Sequence, residues 1–334
     1  MDAVADPPSA PASGAPEEDY LPPGPGRLAK PPHASPRIYW LYAGVFAAVH
    51  ALSLLVLVPW LFSWSAVVVT VLGYYLIGAV GINLCYHRLL THRGFAVPKW
   101  LEHTMAVLGV CNLQDAPARW VGVHRMHHQF SDHERDPHSP LVDFLWGHVG
   151  WLVYQNSYIG TADFYDRYAR DLLRDPFYLK LERSAGWFGV FALHALAINA
   201  AGFLAGLAWS GGSLLAGVQL GLSWLVWGVF LRTVLVWHVT WSVNSVTHMW
   251  GYCNYATRDE SKNNWLIALL TSGEGWHNNH HAQPRSAAHG HRWWELDFCY
   301  WTILGLERLG LAKNVIHAKK PTPGAVQDAC RQAA

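Results

Sequence analysis

Long apolar runs separated by polar stretches are the first feature of this chain. Four runs stand out, at residues 38–62, 65–86, 187–209 and 214–246. A helix needs about 20 apolar residues to cross a hydrocarbon core of about 30 Å. The first three runs have that length, whereas the fourth would be about 50 Å long as a helix and should extend beyond the bilayer. The pattern predicts four transmembrane helices arranged as two hairpins.

The positions of the basic residues predict an orientation. The two short links inside the hairpins, residues 63–64 and 210–213, contain no Lys or Arg. Because cytoplasmic loops are enriched in Lys and Arg, we expect both termini and the region between the second and third spans to lie in the cytoplasm. Arg232 is the exception, since it falls inside the fourth run. We expect its side chain to reach the cytoplasmic interface.

The remaining segments complete a predicted domain map. Residues 1–37 are rich in Pro, Ala and Ser, start with no signal peptide, and have too little apolar surface to fold, which predicts a disordered tail. Residues 38–315 are expected to form one all-α membrane domain with a helical cytosolic cap, followed by a tail at 316–334. Within the cap, residues 101–113 and 265–270 are too short to span a membrane and are predicted interfacial helices.

Composition agrees with a membrane protein and adds one chemical signal. The 334 residues are 51% hydrophobic and only 14% charged, and the net charge of +1 gives no reason to expect a nucleic-acid partner. The five cysteines form no C-x-x-C pair, so we expect free, mostly buried thiols. The unusual count is twenty histidines.

Most of the informative histidines fall in four motifs at the predicted cytoplasmic ends of the spans or in the cap. The motif positions are His87 and His92; His124, His127 and His128; Asn244 and His248; and His277, His280 and His281. Positions i, i+3 and i+4 share one helix face, so each H-x-x-H-H box presents three imidazoles to one side. His87 and His92 are about 140° apart on an ideal helix. They can converge if the helix ends or bends between them, or if the metals occupy a broad cluster.

Nine imidazoles are too many for a single metal ion, since zinc, for example, usually takes four ligands. They suit two metals with four or five ligands each. Imidazole binds iron, copper, nickel and zinc alike, so the ligand type leaves the metal open. Four acids flank the boxes and are either hydrogen-bond partners of the ligands or solvated loop charges: Asp132, Glu134, Asp136 and Glu274.

The other histidines are interpreted more simply. Six isolated ones are expected to be structural: His33, His50, His103, His194, His238 and His317. Five near the boxes are expected to be loop residues or partners of the ligands: His133, His138, His148, His289 and His291.

With their surroundings, the four motifs resemble the membrane fatty acyl desaturases, in particular the delta-9 branch that is similar to stearoyl-CoA desaturase. The matching stretches are GINLCYHRLLTHRGF, WVGVHRMHHQFSDHERDPHSP, VNSVTHMWG and SGEGWHNNHHAQPRSA, within about residues 40–315. The resemblance implies an enzyme that uses dioxygen and two electrons to place a cis double bond, at Δ9, in a long saturated acyl chain. It also implies a di-iron centre in which the nine motif histidines are ligands and Asn244 contacts one iron through water.

One departure from the family pattern concerns the acyl carrier. In the vertebrate acyl-CoA enzymes an Arg and an acid precede the second box and help hold CoA, whereas Gly122 and Val123 occupy these positions here. Losing the Arg removes a charge-assisted phosphate contact, so CoA, lipid and carrier protein all remain open as carriers. Five residues are candidate substrate contacts, the first three near the headgroup and the last two at the tunnel end: Gln114, Asp115, Trp120, Tyr74 and Tyr75.

The resemblance also implies partners. The chain carries no fused haem domain, so electrons should come from a separate ferredoxin, or from a b-type cytochrome with its reductase, docking on the basic cytosolic face. That face could equally bind anionic lipid. Two alternatives stay open at this point. One is a membrane hydroxylase or ketolase with a similar di-iron site. The other is a metal transporter or storage protein, although a transporter should place its ligands near the bilayer midplane.

Overall fold

The computed structural model describes residues 28–183 and 186–319. Among these residues are four apolar helices long enough to cross a membrane: Trp40–Leu57, Trp64–Thr91, Gly186–Trp209 and Leu214–His248. These confirm the four predicted spans, and the 35-residue fourth helix is the longest, as expected. The second and fourth spans extend past their predicted ends, so that both reach their histidine motifs within a continuous helix.

The described part of the chain is mostly helical. The α-helices are α1 (Trp40–Ser53), α2 (Trp64–Gly73), α3 (Lys99–Val110), α4 (Pro117–Phe130), α5 (Trp151–Val153), α6 (Ala162–Tyr168), α7 (Arg170–Leu173), α8 (Pro176–Glu182), α9 (Gly186–Trp209), α10 (Leu214–Leu225), α11 (Arg232–Ser245), α12 (Trp265–Leu270), α13 (His277–Ala282) and α14 (Phe298–Arg308). Wider, π-type turns form Tyr74–Thr91, Trp146–Gly150 and Val226–Leu231, and tighter 3₁₀ turns form Leu54–Leu57, Pro59–Leu61 and Val246–His248. Two strands, β1 (Ala34–Ile38) and β2 (Tyr154–Asn156), pair antiparallel.

The second and fourth spans form the inner pair. In each of them 39% of the most apolar window is buried inside the protein, compared with 11% for the first span and 17% for the third. The inner spans are also the ones that carry histidine motifs at their ends. The first and third spans therefore shield the two helices that lead to the site.

Glycines allow close packing in the second hairpin. Gly202 and Gly206 in α9 face Gly217 and Gly221 in α10, and a Cβ on Gly206 would lie 2.5 Å from the carbonyl oxygen of Ala216. Small residues four apart let helix backbones approach closely, which is a common basis of association inside membranes, where hydrophobic burial contributes little. This spacing on both helices fixes the hairpin.

The cap packs on the second span through a similar contact. A Cβ on Gly81 would lie 2.5 Å from the backbone nitrogen of Gly109 in α3, so the two helices touch at this point. Around it, Ile82, Tyr86 and Val110 belong to the largest buried apolar cluster, which joins the second span to the cap. The cap is therefore attached to a helix that carries metal-site candidates.

Part of the N-terminal segment before the first span is ordered. Residues 1–27 and 320–334 lie outside the described part of the chain, but residues 34–38 form β1 rather than a disordered tail. The tail prediction was wrong there because β2 supplies backbone hydrogen-bond partners, which need no apolar side chains.

Four cysteines are free thiols, three buried and one half-buried: Cys85, Cys111, Cys299 and Cys253. Cys330 lies outside the described residues.

Arg232 also differs from its prediction. Its side chain is fully buried and does not reach the cytoplasmic interface. It donates hydrogen bonds to the carbonyl oxygens of Gly228 and Cys111 and to Oδ1 of Asn112. The end of α3 comes close enough to the fourth span to satisfy the guanidinium internally, so the side chain does not need to reach water.

Candidate metal centre

The end of the second span brings His87 and His92 together. The backbone N–H of His92 donates to the carbonyl of His87, five residues earlier, at 3.1 Å. This i to i+5 hydrogen bond widens the last turn, and the two imidazole centroids lie 4.9 Å apart. Such wide turns often occur at functional sites. The convergence that an ideal α-helix would prevent is produced by this local winding.

In α4 the second motif divides its three imidazoles between two directions. His124 and His128 are one turn apart, and their Nε2 atoms approach to 3.1 Å. His127 lies about 100° away from His128 around the helix, and its ring faces those of His248 and His281, at 5.2 and 5.3 Å. The H-x-x-H-H spacing thus serves two neighbouring sites.

A network of amides holds the last motif, on the six-residue helix α13. The side chain of Asn279 accepts from Asn254 and Asn263 at 2.8 and 2.9 Å and donates to Glu295 at 2.8 Å. Asn278 accepts from the backbone N–H of Asn254 at 2.7 Å. A helix this short gains little from its own hydrogen bonds. Hydrogen bonds from Asn278 and Asn279 to the surrounding loops therefore orient the three histidines of α13.

The nine motif histidines form two groups whose ligand atoms are close enough to share a metal ion. The first group is His87, His92, His124, His128 and His280, and the second is His127, His248, His277 and His281. The groups are neighbours, since the rings of His128 and His281 stack at 4.5 Å. The sequence predicted four or five ligands for each metal but did not assign them, and the structure divides them five and four.

Carboxylates on the outer side fix which ring nitrogens face inward. Each of four histidines has its Nδ1 within 2.6–3.0 Å of a carboxylate oxygen: His87 with Glu274, His127 with Asp136, His248 with Asp132, and His281 with Asp259. A carboxylate can only accept, so Nδ1 carries the proton and Nε2 presents its lone pair to the centre. This arrangement is typical of metal-binding histidines.

The inward nitrogens then fit a cation better than they fit each other. Nε2 of His277 lies 3.0 Å from Nε2 of both His248 and His281, which are two lone pairs by the assignment above. A single N–H on His277 can satisfy only one of them. In addition, the buried Nε2 atoms of His92 and His127 have no hydrogen-bond partner in the part of the chain that the structure describes. A metal ion in each group would satisfy these nitrogens.

The electrostatic environment favours the neutral form of five of the nine motif imidazoles, which is the form that binds metal. Burial, followed by the proximity of the other imidazoles, holds the pKa of five cap histidines well below the ordinary value: His124, His127, His128, His277 and His280. The pKa of Asp259 is held below its usual range: burial acts against this, but the adjacent His281 outweighs it. The carboxylate is therefore charged, and these five rings are available to bind metal.

Arg88 anchors this part of the site. Its guanidinium is fully buried, at 2.9 Å from both Glu274 and Asp297, and donates to the carbonyl of Ala287 at 2.7 Å. Glu274 thus joins Arg88 to His87, and His289 Nδ1 lies 3.0 Å from the same carboxylate. The second span and the loops around α13 are held by one charged network.

A cavity, here called the acyl cavity, reaches this centre. His124 and Asn244 line it near the histidines, and Phe46, Leu113 and Trp237 supply apolar walls. Ligand sites commonly have this mostly apolar lining with a few polar groups. Asn244 lies one helical turn before His248, on the cavity wall.

The predicted substrate contacts divide into two sets. Gln114, Asp115 and Trp120 all line the acyl cavity, where Gln114 donates to Thr240 at 3.1 Å and accepts from Trp120 at 3.3 Å. Tyr74 lines a smaller cavity whose wall includes Thr240 as well.

Tyr75 lines neither cavity. Its hydroxyl lies 2.6 Å from that of Thr302 in α14, and its side chain is half-exposed. The role of Tyr75 at the tunnel end stays a prediction, as does that of Tyr74, which lines the smaller cavity rather than the acyl cavity.

Other expectations near the site have mixed outcomes. Asp132, Asp136 and Glu274 contact the rings as described above, whereas Glu134 is exposed. Asp259 was missed, since it precedes His281 by 22 residues and no spacing signal connects them. His138 stacks on His127 at 4.3 Å, so it is a partner of the ligands, as is His289.

The remaining histidines lie apart from the two groups. His291 bonds to Tyr255, His103 to Asp175 and His317 to Tyr300. His50, His238 and His148 form a hydrogen-bonded row with 3.0 Å contacts, which was not expected. His33 stacks on Tyr158 and His194 lies beside Phe191. His133 is half-buried near α4.

Comparison with known proteins agrees with this geometry. The family model for fatty acid desaturases matches residues 59–309, about three quarters of the chain and all four motifs. The chain belongs to the fatty acid desaturase family. It is therefore an oxygen-dependent oxidoreductase and a membrane protein, and its substrate is a fatty acyl chain.

Individual desaturases are similar along most of their length. An sn-2 palmitoyl-lipid 9-desaturase of Nostoc sp. (strain 36) is 42% identical over 301 residues, which cover 90% of this chain and 97% of that protein. An sn-1 stearoyl-lipid 9-desaturase of Anabaena variabilis is 43% identical over 285 residues, covering 85% and 96%. An acyl-CoA 5-desaturase of Anemone leveillei is 41% identical over 267 residues, covering 78% and 77%. Desaturases named for different carriers and bond positions are thus about equally similar.

Proposed function

We propose that this desaturase places a cis double bond at Δ9 of a long saturated acyl chain, with two irons held by the nine histidines. The observation that carries the proposal is the acyl cavity, because its mostly apolar wall includes His124 and Asn244, which belong to the histidine motifs. The similar proteins named 9-desaturases support the bond position. Family membership gives no support to the metal transporter or storage alternative.

Two bound irons would supply the oxidising power that the reaction needs, since no side-chain acid or base removes hydrogen from an unactivated methylene. The overall balance is two hydrogens from the acyl chain, two electrons and two protons consumed with one dioxygen, giving two waters. The residues that would hold the metals are the two histidine groups, five in one and four in the other. Asn244 is proposed to contact one metal through water.

The protein's own contribution is orientation and exclusion of water. Phe46, Trp237 and Trp241 surround an acyl chain with rigid aromatic walls, so a given carbon lies at a fixed depth. Gln114 is held from both sides by Thr240 and Trp120, which fixes a polar point along the path. Fixed depth beside the centre selects the bond that reacts.

The electrons are proposed to enter from the cytosolic side. A second, open depression is lined by His92, His128 and His281, members of both groups, and by Arg258. Its lining also contains Arg125, which is paired with Asp171 at 2.7 Å, and Asp259. An acidic donor such as ferredoxin, or a b-type cytochrome served by its reductase, would meet the guanidinium of Arg258 here. Both termini and the metal centre are proposed to lie in the cytoplasm, as the distribution of Lys and Arg indicates.

The proposal is tested by expression in a host that lacks its own desaturase. Gas chromatography and mass spectrometry of the fatty acids should show cis-Δ9 monoenes with the wild type. The variant His280→Ala should lose iron and product while still inserting in the membrane. His317→Ala, a histidine bonded only to Tyr300 in this part of the structure, is the matched control and should keep both. A hydroxylated chain without an alkene, or a double bond elsewhere, would contradict the proposal.

A further inference from the structure

Three histidines outside the metal centre form a continuous hydrogen-bonded row, here called the imidazole row. Nε2 of His50 lies 3.0 Å from Nε2 of His238, and Nδ1 of His238 lies 3.0 Å from Nε2 of His148. None of the three belongs to either ligand group, and none lines the acyl cavity. The metal centre therefore does not explain this row.

The row joins three walls of the acyl cavity from the outside. The cavity is lined by Phe46 of α1, by Trp237 and Trp241 of α11, and by Trp151 of α5. His50 lies one helical turn after the lining residue of α1, and His238 lies between the two lining residues of α11. His148 lies in the π-type turn that leads directly into α5. Each wall thus carries one imidazole close to its lining residues.

These contacts are the directional ones between the walls. Among residues 28–183 and 186–319, the contact of His50 with His238 is the one hydrogen bond between α1 and α11. His148 bonds to His238 and to Ser245 of the same helix, at 3.0 Å each. Aromatic packing supplies other contacts, but packing alone specifies position weakly in a membrane, where lipid tails offer similar contacts. We therefore expect the row to set how the walls lie against each other.

The hydrogens of the row have one consistent order when its rings are neutral. The carbonyl of Phe46 can only accept, so Nδ1 of His50, 2.7 Å away, carries a hydrogen and its Nε2 accepts from His238. His238 then accepts from His148, whose other nitrogen faces the hydroxyl of Ser245, a group that can donate. Burial, followed by the proximity of His238, lowers the pKa of His148 to about 4, so this ring is neutral at pH 7. Each imidazole can therefore donate once and accept once, and the row needs no charge.

The row lies at the surface, whereas the wall behind it is buried. His238 is exposed, and His50 and His148 are half-buried. Trp237 and Trp241 are buried, and their ring centroids lie 5.8 Å from that of His50 and 5.3 Å from that of His238. A substitution in the row can therefore shift the wall without removing any side chain that lines the cavity.

We propose that the imidazole row fixes the aromatic wall of the acyl cavity and thereby determines which carbon atoms react. The proposal rests on the proposed desaturase function, because it concerns where along the chain the double bond is placed. Successive methylene groups of a saturated chain are chemically alike, so their depth in the cavity has to distinguish them. A misplacement of about 1 Å can change a rate about 100-fold. The three histidines are thus positioning residues that touch neither the acyl chain nor the metal.

The test compares His238→Leu with His238→Gln in the full-length chain, expressed in a host that lacks its own desaturase. Leucine bonds to neither neighbour, whereas glutamine can donate to His50 and accept from His148. Mass spectrometry of derivatised fatty acids gives the fraction of product at each bond position. In His238→Leu, the ratio of neighbouring positional isomers to the main isomer should rise by about tenfold or more. His238→Gln should largely restore the wild-type ratio, and both variants should keep their iron.

A second variant on the opposite wall tests whether the row acts as a unit. His50→Leu should also raise the isomer ratio, and the double variant should be no worse than His238→Leu alone, which already breaks both contacts. The matched control is Leu235→Ala, because Leu235 is 41% exposed on α11, one turn before His238. It should keep the wild-type ratio.

The outcomes separate this proposal from the proposed function. If His238→Leu and His50→Leu keep the wild-type isomer ratio, at full or reduced activity, the row is merely structural and the proposal is overturned. Additive effects in the double variant would also overturn it. If the wild type forms no alkene, the desaturase function itself fails, and this proposal with it. A wild-type double bond at a position other than Δ9 would contradict the proposed bond position only, because the row governs the spread of positions.

Discussion

Asp259 provides a sharp test of the metal centre, because it acts on one histidine group only. Its Oδ2 accepts from Nδ1 of His281 at 2.6 Å, and its Oδ1 accepts from the backbone N–H of Ser261 at 3.1 Å. On the far side of the ring, Nε2 of His281 lies 3.0 Å from Nε2 of His277. The substitution Asp259→Asn keeps the shape and one acceptor oxygen but removes the charge that stabilises metal-bound imidazole.

The size of the effect follows from the strength of the hydrogen bond. A hydrogen bond to a charged group contributes about 1.5–3 kcal/mol and a neutral one about 0.5–1.5 kcal/mol, so the loss is about 1–1.5 kcal/mol. This corresponds to about tenfold weaker binding in the four-histidine group, at the lower end of the roughly 10–100-fold known for partners of metal ligands. Asp259→Ala removes the acceptor altogether and should approach the upper end, about 100-fold.

The measurement is a competition of purified protein against a chromophoric iron chelator, with total iron determined by mass spectrometry. We expect one of two irons to be released at lower chelator concentration in Asp259→Asn. The matched control is Asp175→Asn, because Asp175 bonds to His103 at 2.9 Å, a histidine outside both groups. If Asp259→Asn holds both irons as tightly as wild type while His281→Ala loses one, the role given to the carboxylate is refuted. An equal loss in Asp175→Asn would show a general effect on folding.

Three further predictions concern pH, chain length and the second hairpin. Burial lowers the pKa of cap histidines such as His277, so the unfolded chain binds more protons than the folded protein as the pH falls. The free energy of unfolding and the bound iron should therefore be highest above about pH 6.5 and should decline below it. Circular dichroism and iron content measure the two quantities. Tyr74→Ala should enlarge the smaller cavity, which shares Thr240 with the acyl cavity, and shift product toward longer chains at unchanged bond position. Tyr75→Ala should leave the fatty-acid profile unchanged in gas chromatography. Gly206→Val places atoms against Ala216 and should destabilise the protein by about 1–3 kcal/mol, seen as a lower midpoint of thermal aggregation. Substitution of Gly189, which has no close neighbour among residues 28–183 and 186–319, should not.

The spans and the ligand residues could be predicted because both are local features. Twenty consecutive apolar residues specify a membrane helix whatever surrounds them, and the two H-x-x-H-H boxes specify a shared face. The division of the ligands could not be predicted in the same way. It depends on how α4 and α13 are rotated toward each other, so that His128 and His280 meet in one group while His127 and His277 join the other.

Which acids contact the ligands could not be predicted from the sequence either. Four acids near the boxes were equal candidates, yet only Glu134 points outward, and nothing in its spacing separates it from Asp132 two residues earlier. The loop after α4 decides, because Asp132 has a positive φ of 58°, an unusual backbone conformation that accompanies its contact with His248. A turn of this kind is fixed by tertiary contacts rather than by local sequence.

Arg232 was expected to reach the membrane interface because a charged side chain inside a span is costly, but hydrogen bonds within the protein hold it instead. The guanidinium has no carboxylate partner among the described residues, and it donates twice to the carbonyl of Cys111, at 3.1 Å in each case. That carbonyl lies at the C-terminal end of α3, where the helix dipole is negative and favours a cation. The same contact fixes the start of the loop that carries Leu113 and Asp115, both held at positive φ and both lining the acyl cavity. Strained backbone persists only where its surroundings stabilise it. The hydrogen bonds of the buried Arg232 therefore stabilise the loop conformation that places Leu113 and Asp115 in the wall of the acyl cavity.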